Sequence, residues 1–166
     1  MALTTLLELL ERLDEAHIQM LNLAASKKQS IMDNKVDALI EILNRESKFM
    51  KLIGQLEEQR AQAAYAFLQG VGIRSNLQLN LSELSRLVFD PDDKSRLLHI
   101  QQKLSGTLQQ LKAANELNQK LIEQSLTFID YSLDLLVGRP NQEITYHHPS
   151  DKGSSAKRPG LFDARG

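Results

Sequence analysis

The sequence predicts an all-α fold, an elongated up-and-down bundle or antiparallel coiled coil of three long helices and one short helix. Apolar residues recur at alternating spacings of three and four over most of the chain, which places them on one stripe of a helix. Aromatic residues make up only 5% of the sequence, and a single proline, Pro91, precedes residue 139. Capping signals divide this periodic region into segments. We therefore expect a helical bundle over residues 1–138 and a flexible, disordered C-terminal tail over residues 139–166.

The composition excludes several functional classes. The 166 residues carry 20 basic and 21 acidic side chains, for a net charge of −1, which argues against a nucleic-acid-binding protein. The chain has no cysteine, and this rules out a disulfide scaffold and thiol catalysis. The N-terminus lacks the pattern of a signal peptide, and no stretch is apolar enough for a transmembrane helix. We expect a cytoplasmic protein without stable membrane insertion.

The first helix is predicted from about residue 2 to residue 32. Its apolar stripe comprises Leu3, Leu6, Leu10, Leu13, His17, Met20 and Ala24. The pattern then resets at Asp33 and Asn34, which are typical N-cap residues, with Asp37 in capping-box position. Either the chain turns here or one very long helix continues. We favour a turn, because an isolated helix of roughly 65 residues would extend about 100 Å.

The second helix is predicted to end at Gly70-Val71-Gly72, since glycine suits the left-handed conformation that follows many helices. Its stripe contains charged as well as apolar residues. The predicted members are Val36, Leu39, Leu43, Glu46, Met50, Ile53, Glu57, Arg60, Ala64 and Phe67.

Two further start signals follow. Asn80 and Glu83 match a capping box and predict a short helix. Asp90-Pro91 is a strong helix start, because aspartate can cap and proline suits the first helical position. This last helix should end at residue 137, before Gly138. Its predicted stripe comprises Leu97, Gln101, Leu104, Leu108, Leu111, Asn115, Asn118, Ile122, Ser125, Ile129, Ser132 and Leu136.

Motifs that carry catalysis or metal binding are absent from the sequence, which has no glycine-rich phosphate loop, nucleophile elbow or zinc motif. His17 and His99 lack the glutamate three residues earlier that a di-metal carboxylate bundle needs. We therefore expect no enzyme activity, no cofactor and no bound metal. Asn115 and Asn118 are more informative, since both lie on the predicted seam. They either fix the packing register or line a groove that hydrogen-bonds a bound protein.

The segment 115–122, Asn-Glu-Leu-Asn-Gln-Lys-Leu-Ile, is followed by the segments 125–129 and 133–136, which are also rich in apolar residues. Together they resemble the N-x-x-N-x-x-L-[LI] signature region of FlgN-type flagellar export chaperones. The tail, through Thr145-Tyr146 and the closing residues 162–166, is similar to that of Gram-positive members. The resemblance covers nearly the whole chain.

This resemblance implies a cytoplasmic chaperone of flagellar type III secretion that binds the C-terminal helical segments of the two hook-filament junction proteins. Such a chaperone keeps its clients unassembled and delivers them to the flagellar export gate and its ATPase complex. We expect the client-binding surface on the C-terminal half of the last helix, at Leu111, Asn115, Asn118, Ile122, Phe128, Ile129, Leu133 and Leu136. Tail contacts with the client or the gate are expected at Ile144, Tyr146, Leu161 and Phe162.

A structural coiled-coil protein that associates only with copies of itself is the competing interpretation. It predicts a tight homo-oligomer, whereas a carrier predicts a monomer or a weak homodimer that forms a complex with one client. The sequence leaves open the oligomeric state and the preferred junction protein. It also leaves open which apolar residues are core and which bind the client.

Overall fold

A computed structural model of the chain describes residues 1–74 and 79–138. These residues form four helices, α1 (Ala2–Met32), α2 (Val36–Gly70), α3 (Leu81–Ser85) and α4 (Pro91–Val137). No strand occurs within the described ranges. The prediction of an all-α protein with three long helices and one short helix is confirmed.

The chain turns sharply between α1 and α2, so the turn that the sequence favoured is confirmed. Asn34 adopts a left-handed backbone with φ of +53°, a conformation that asparagine tolerates better than most residues. The N–H of Lys35 then donates to the carbonyl of Ser30 at 3.0 Å. The predicted capping box at this position is wrong. The residue that caps α2 is Lys35, and it makes no side-chain capping hydrogen bond in the described part of the chain.

The chain divides into two compact units, which are residues 1–122 and residues 123–166. The first contains α1, α2, α3 and the greater part of α4. Of the second, the structure describes residues 123–138, which contain the last turns of α4.

The three long helices of the first unit run up, down and up. The short turn makes α1 and α2 antiparallel, and Lys27 of α1 forms an ion pair of 3.2 Å with Glu46 of α2. Contacts between α1 and α4 advance in the same direction along both helices. They join Glu11 to Arg96, Asp14 to Thr107 and Ala24 to Asn118. The α1 and α4 helices are therefore parallel, as an up-and-down bundle requires.

The core is centred on the first half of α1, where the predicted stripe is confirmed. Leu6, Leu10 and Leu13 are completely buried, and each contributes about 1.5–3 kcal/mol through loss of contact with water. They pack with apolar residues of every other helix and of the connections. The remaining buried members of this cluster are Leu7, Leu9, Ala16, Leu56, Ala63, Phe67, Leu68, Leu84, Val88, Leu97, Ile100 and Leu104.

The buried face of α2 differs from the predicted stripe. Val36, Leu43 and Met50 were expected in the core, but all three are exposed. The inward positions instead repeat with an average spacing of 3.5, and Ile42 and Leu56 belong to them. The inward residues are Leu39, Ile42, Glu46, Phe49, Ile53, Leu56, Arg60, Ala63 and Phe67. The error arose because apolar residues occupy two neighbouring faces of α2, so periodicity alone does not identify the one that meets α1.

A similar difference occurs on α4. Leu108 and Asn115 were placed on the seam, yet both are exposed, while Thr107 is buried and Ala114 is half-buried. The polar Thr107, one residue before the predicted Leu108, is therefore the side chain that contacts α1, through its hydrogen bond to Asp14.

The predicted helix ends are confirmed at the other boundaries. Gly72 has φ of +88° after α2, and Asp90 Oδ1 accepts hydrogen bonds from the N–H groups of residues 92 and 93 at 2.9 and 3.0 Å. Asn80 and Glu83 form the reciprocal capping box of α3, with hydrogen bonds of 2.8 and 2.9 Å. The α4 helix ends before Gly138, whose φ is +78°.

Candidate functional site

A buried carboxylate joins α1 to α4. The side chain of Asp14 is only 1% exposed, and its Oδ1 accepts a 2.8 Å hydrogen bond from the Thr107 hydroxyl. The Lys103 ammonium lies 3.3 Å from the other carboxylate oxygen. Burying a carboxylate is costly unless its charge is compensated, so both partners are needed to keep Asp14 inside. This site fixes how the two helices pack.

Asn118 forms a second polar contact between the same helices. Its side chain is 3% exposed, and Nδ2 donates a 2.9 Å hydrogen bond to the carbonyl oxygen of Ala24. Its Oδ1 is buried without a hydrogen-bond partner among the described residues. Of the two interpretations that the sequence left open for this residue, the contact with Ala24 favours the fixing of register.

The other residues predicted to bind a client in the first unit differ in exposure. Asn115 is exposed, whereas Leu111 and Ile122 are half-buried. Asn115 and Asn118 therefore differ in burial, although the sequence placed both on the seam.

The described part of the second unit is unusually apolar for an exposed helix end. Phe128, Ile129, Leu133 and Leu136, all predicted to contact a client, expose between 51% and 84% of their surface. The structure adds four exposed apolar residues that the sequence argument did not select, Leu126, Tyr131, Leu135 and Val137. Large apolar side chains clustered on a surface typically mark an interaction site.

These residues occupy two faces of the helix. Leu126, Ile129, Leu133 and Leu136 follow a 3-4-3 spacing and share one face, as the helical repeat of 3.6 residues requires. A second face, with a 3-4 spacing, is formed by Phe128, Tyr131 and Leu135. We call these the first and the second apolar face of the α4 end.

The predicted tail contacts fall on Ile144, Tyr146, Leu161 and Phe162, which lie outside the described residues.

A groove of about 630 Å³ lies in the first unit, and its lining comes from residues 10 to 104. Leu10, Leu68 and Leu84 contribute to its apolar floor. At its rim Arg60 donates to Glu57 in an ion pair of 2.9 Å. None of the residues predicted to bind a client lines this groove.

His17 is half-buried, and a ring nitrogen lies 2.7 Å from the carbonyl oxygen of Leu13, one turn earlier. Within residues 1–74 and 79–138, no group of three or more histidine, aspartate or glutamate side chains is arranged to hold a metal ion. None of the helices in these ranges combines the length and the apolar character needed to cross a membrane.

The contact between Asp14 and Thr107 was missed by the sequence argument, although a signal for it exists. Asp14 lies one heptad after Leu7 and one heptad before Leu21, so it continues an apolar row of α1. A charged residue within such a row indicates a buried polar contact with a neighbouring helix.

Comparisons with known proteins identify a relative and a family. The chain is 30% identical over 141 residues to a Bacillus subtilis (strain 168) protein named "Uncharacterized protein YvyG", and the match covers 85% of this chain and 84% of that protein. No solved structure matches the chain. A family model described as "FlgN protein" matches residues 1–152. With a match over nearly its whole length, the chain belongs to the FlgN family of flagellar export chaperones, which are not enzymes.

Proposed function

We propose that this chaperone acts in the cytoplasm, binds the C-terminal helical segments of hook-filament junction proteins, keeps them unassembled and delivers them to the flagellar export gate. The observation that carries the proposal is the exposure of large apolar side chains at the α4 end. Family membership supports the flagellar export role, and this surface supports the mode of binding.

The first apolar face suits an amphipathic client helix. Its residues are separated by three and four positions, which is the anchor spacing that two packed helices use. Each large side chain that a client covers fully contributes about 1.5–3 kcal/mol. A client helix docked along Ile129, Leu133 and Leu136 would therefore gain most of its affinity from a few anchors.

The second apolar face lies roughly opposite, because its members follow the first face by about half a helical turn. A helix end that is apolar on two sides suits a client that packs more than one segment against it. We therefore include Phe128 among the contacts, with Tyr131 and Leu135 beside it.

The residues of the first unit take separate parts in the proposal. Exposed Asn115 and half-buried Leu111 and Ile122 are proposed as further contacts. Asn118 is proposed to act indirectly, because its amide is already bonded to Ala24. By fixing the register of α4 on α1, Asn118 keeps the neighbouring contact residues of α4 accessible to the client.

Co-purification with the C-terminal segment of a hook-filament junction protein tests the proposal, with light scattering to determine stoichiometry. We expect a defined complex of one client with one or two chaperones. Ile129→Lys and Leu133→Lys should abolish it, because each places a charge on the first apolar face. Thr127→Lys is the matched control, since Thr127 is an exposed polar residue on the same turns. Helix content measured by circular dichroism should be equal in all variants.

A complex that survives both lysine variants would contradict the proposed surface. The failure of wild-type protein to bind any junction-protein segment, together with a tight homo-oligomer, would contradict the carrier function. It would favour the competing interpretation of a structural coiled coil.

The tail is proposed to contact the client or the export gate through Ile144, Tyr146, Leu161 and Phe162. Deletion of residues 139–166 should leave helix content unchanged and reduce client binding or export of the junction proteins. If both binding and export are unchanged, the tail has no part in this function.

A further inference from the structure

An exposed apolar stripe also lies on α2, which is distant in sequence from the α4 end. Val36, Ile40, Leu43 and Met50 expose between 41% and 64% of their surface. They occupy one face of the helix, about a third of a turn away from the face that packs on α1. This stripe is not used by the proposed client-binding surface.

The stripe has the spacing of a coiled-coil seam. Positions 36, 40, 43, 47, 50 and 54 alternate by four and three residues, which is the repeat of the a and d positions in a heptad. Small residues, Ser47 and Gly54, occupy the positions that are not large and apolar. The Ser47 hydroxyl already donates to the carbonyl of Leu43 at 3.0 Å, so it can be covered without losing its hydrogen bond. No heavy atom of the described chain lies within 4 Å of the Cβ that Gly54 would carry.

The charges beside the seam indicate what covers it. Asp37 and Lys51 are exposed, and both lie on the solvent side of the stripe at equivalent heptad positions. Asn44 occupies the same position midway between them. A second copy running parallel would instead bring these positions next to the partner's positions 32, 39 and 46, of which only Glu46 is charged, and its carboxylate is already paired with Lys27. An antiparallel second copy brings Asp37 next to the partner's Lys51, and Asn44 next to the partner's Asn44.

The same antiparallel register gives complementary packing along the seam. It places Leu43 against the partner's Ser47 and Ile40 against the partner's Met50, and it places Val36 against the partner's Gly54. Two of these layers combine a large side chain with a small one, as interdigitating helices require. The two-fold axis repeats each contact, so the interface is isologous.

We propose that two copies of this chain associate through an antiparallel α2–α2 contact over residues 36–54. The seam extends over about 27 Å of helix. A contact between two single helices of this length buries less surface than a standard interface, which buries about 800 Å² per partner. The dimer is therefore weak and reversible. The inference does not rest on the proposed client-binding function, and its test contains no client.

Sedimentation velocity of the full-length chain over a concentration series, from about 10 to about 500 µM, tests the association by mass action. We expect the weight-average sedimentation coefficient to rise with concentration towards the value of a dimer. Leu43→Glu should abolish the rise, because it places a charge in the centre of the seam. The matched control is Leu52→Glu, since Leu52 is an exposed leucine of the same helix that lies off the seam.

A charge exchange tests the orientation. Lys51→Glu should weaken the dimer about five- to tenfold, because the new carboxylate faces the partner's Asp37. The double variant Asp37→Lys with Lys51→Glu should restore wild-type affinity. Circular dichroism and the thermal midpoint verify that each variant folds as the parent does.

The absence of cysteine permits a direct check of geometry by single thiols. With a short bismaleimide, Asn44→Cys should cross-link to a dimer, whereas Asp37→Cys alone should remain monomeric. A mixture of Asp37→Cys and Lys51→Cys should cross-link. Cross-linking of Asp37→Cys to itself, a wild-type chain that stays monomeric throughout the series, or a dimer that Leu43→Glu leaves intact would each overturn the proposal.

Discussion

The amide of Asn118 offers a sharp test of how α4 packs on α1. In the Asn118→Asp variant the nitrogen that donates to the Ala24 carbonyl is replaced by a carboxylate oxygen of nearly the same size. The hydrogen bond of 2.9 Å is lost and two oxygens come into repulsive contact. The new charge is also buried, because the site is only 3% exposed. Losing the hydrogen bond costs about 1 kcal/mol, and an uncompensated buried charge costs about 3–5 kcal/mol.

We therefore expect Asn118→Asp to lower the free energy of unfolding by at least about 3 kcal/mol, more than a hundredfold in the equilibrium constant. Urea denaturation followed by circular dichroism measures this change. At a denaturant slope of about 2 kcal/mol per M, the midpoint falls by about 1.5 M. Asn115→Asp introduces the same charge in the same helix at an exposed position, so its effect should stay within about 0.5 kcal/mol. Equal effects of the two substitutions would refute the packing of Asn118 against α1.

Further predictions concern the buried carboxylate and two glycines. Thr107→Val removes the hydrogen bond to Asp14 and should cost about 1.5–3 kcal/mol in urea denaturation, whereas Thr127→Val should cost under about 0.5 kcal/mol, because its hydroxyl bonds only its own helix. A double-mutant cycle combines Thr107→Val with Asp14→Ala. The losses in free energy of unfolding of the two single variants should sum to more than the loss of the double variant, and strict additivity would show that the groups do not interact. Gly72→Ala should lower the thermal midpoint, since φ of +88° costs about 1–2 kcal/mol for a residue with a Cβ. Gly106→Ala should raise the midpoint through a gain of about 0.5–1 kcal/mol, because it lies within α4 and its Cβ would meet no atom of the described chain within 4 Å. The opposite sign at either glycine would contradict these assignments.

The helix boundaries were predictable because capping is local. Asp90 and Asn80 act on N–H groups two or three residues away, so a few neighbouring residues contain the whole signal. The turn after α1 is instructive in its detail. Its position was predicted, but the role of Asn34 was not, since the same side chain suits both an N-cap and a left-handed turn.

The inward faces of α2 and α4 were less predictable because they depend on the partner helix. On α2, the leucine at position 43 and the isoleucine at position 42 are equally apolar, and only packing against α1 makes Ile42 the buried one. On α4, Asn115 and Asn118 have identical chemistry. The carbonyl of Ala24, 94 residues from Asn118 in the sequence, is what distinguishes them. No pattern within a single helix contains that information.

The candidate client-binding surface was predictable in part for the same reason. Ile129, Leu133 and Leu136 were selected because they continue a stripe of α4 and resemble the family's signature region. Whether such residues are core or surface depends on whether another helix covers them. Their exposure therefore became known only from the structure.

The parallel arrangement of α1 and α4 has a consequence for the order of folding. The α1 and α2 helices are separated by a short turn and can pair as soon as both have been synthesised, whereas the contacts of α4 with α1 join residues that are 85 to 94 positions apart. Closing so long a loop delays those contacts, and synthesis from the N-terminus delays them further. We therefore expect the nascent chain to form an α1–α2 hairpin before α4 packs against its apolar side. At that stage the Asp14 carboxylate is still hydrated. Its desolvation cost arises only when α4 packs on α1, and the Thr107 hydroxyl donates its hydrogen bond to the carboxylate in the same step.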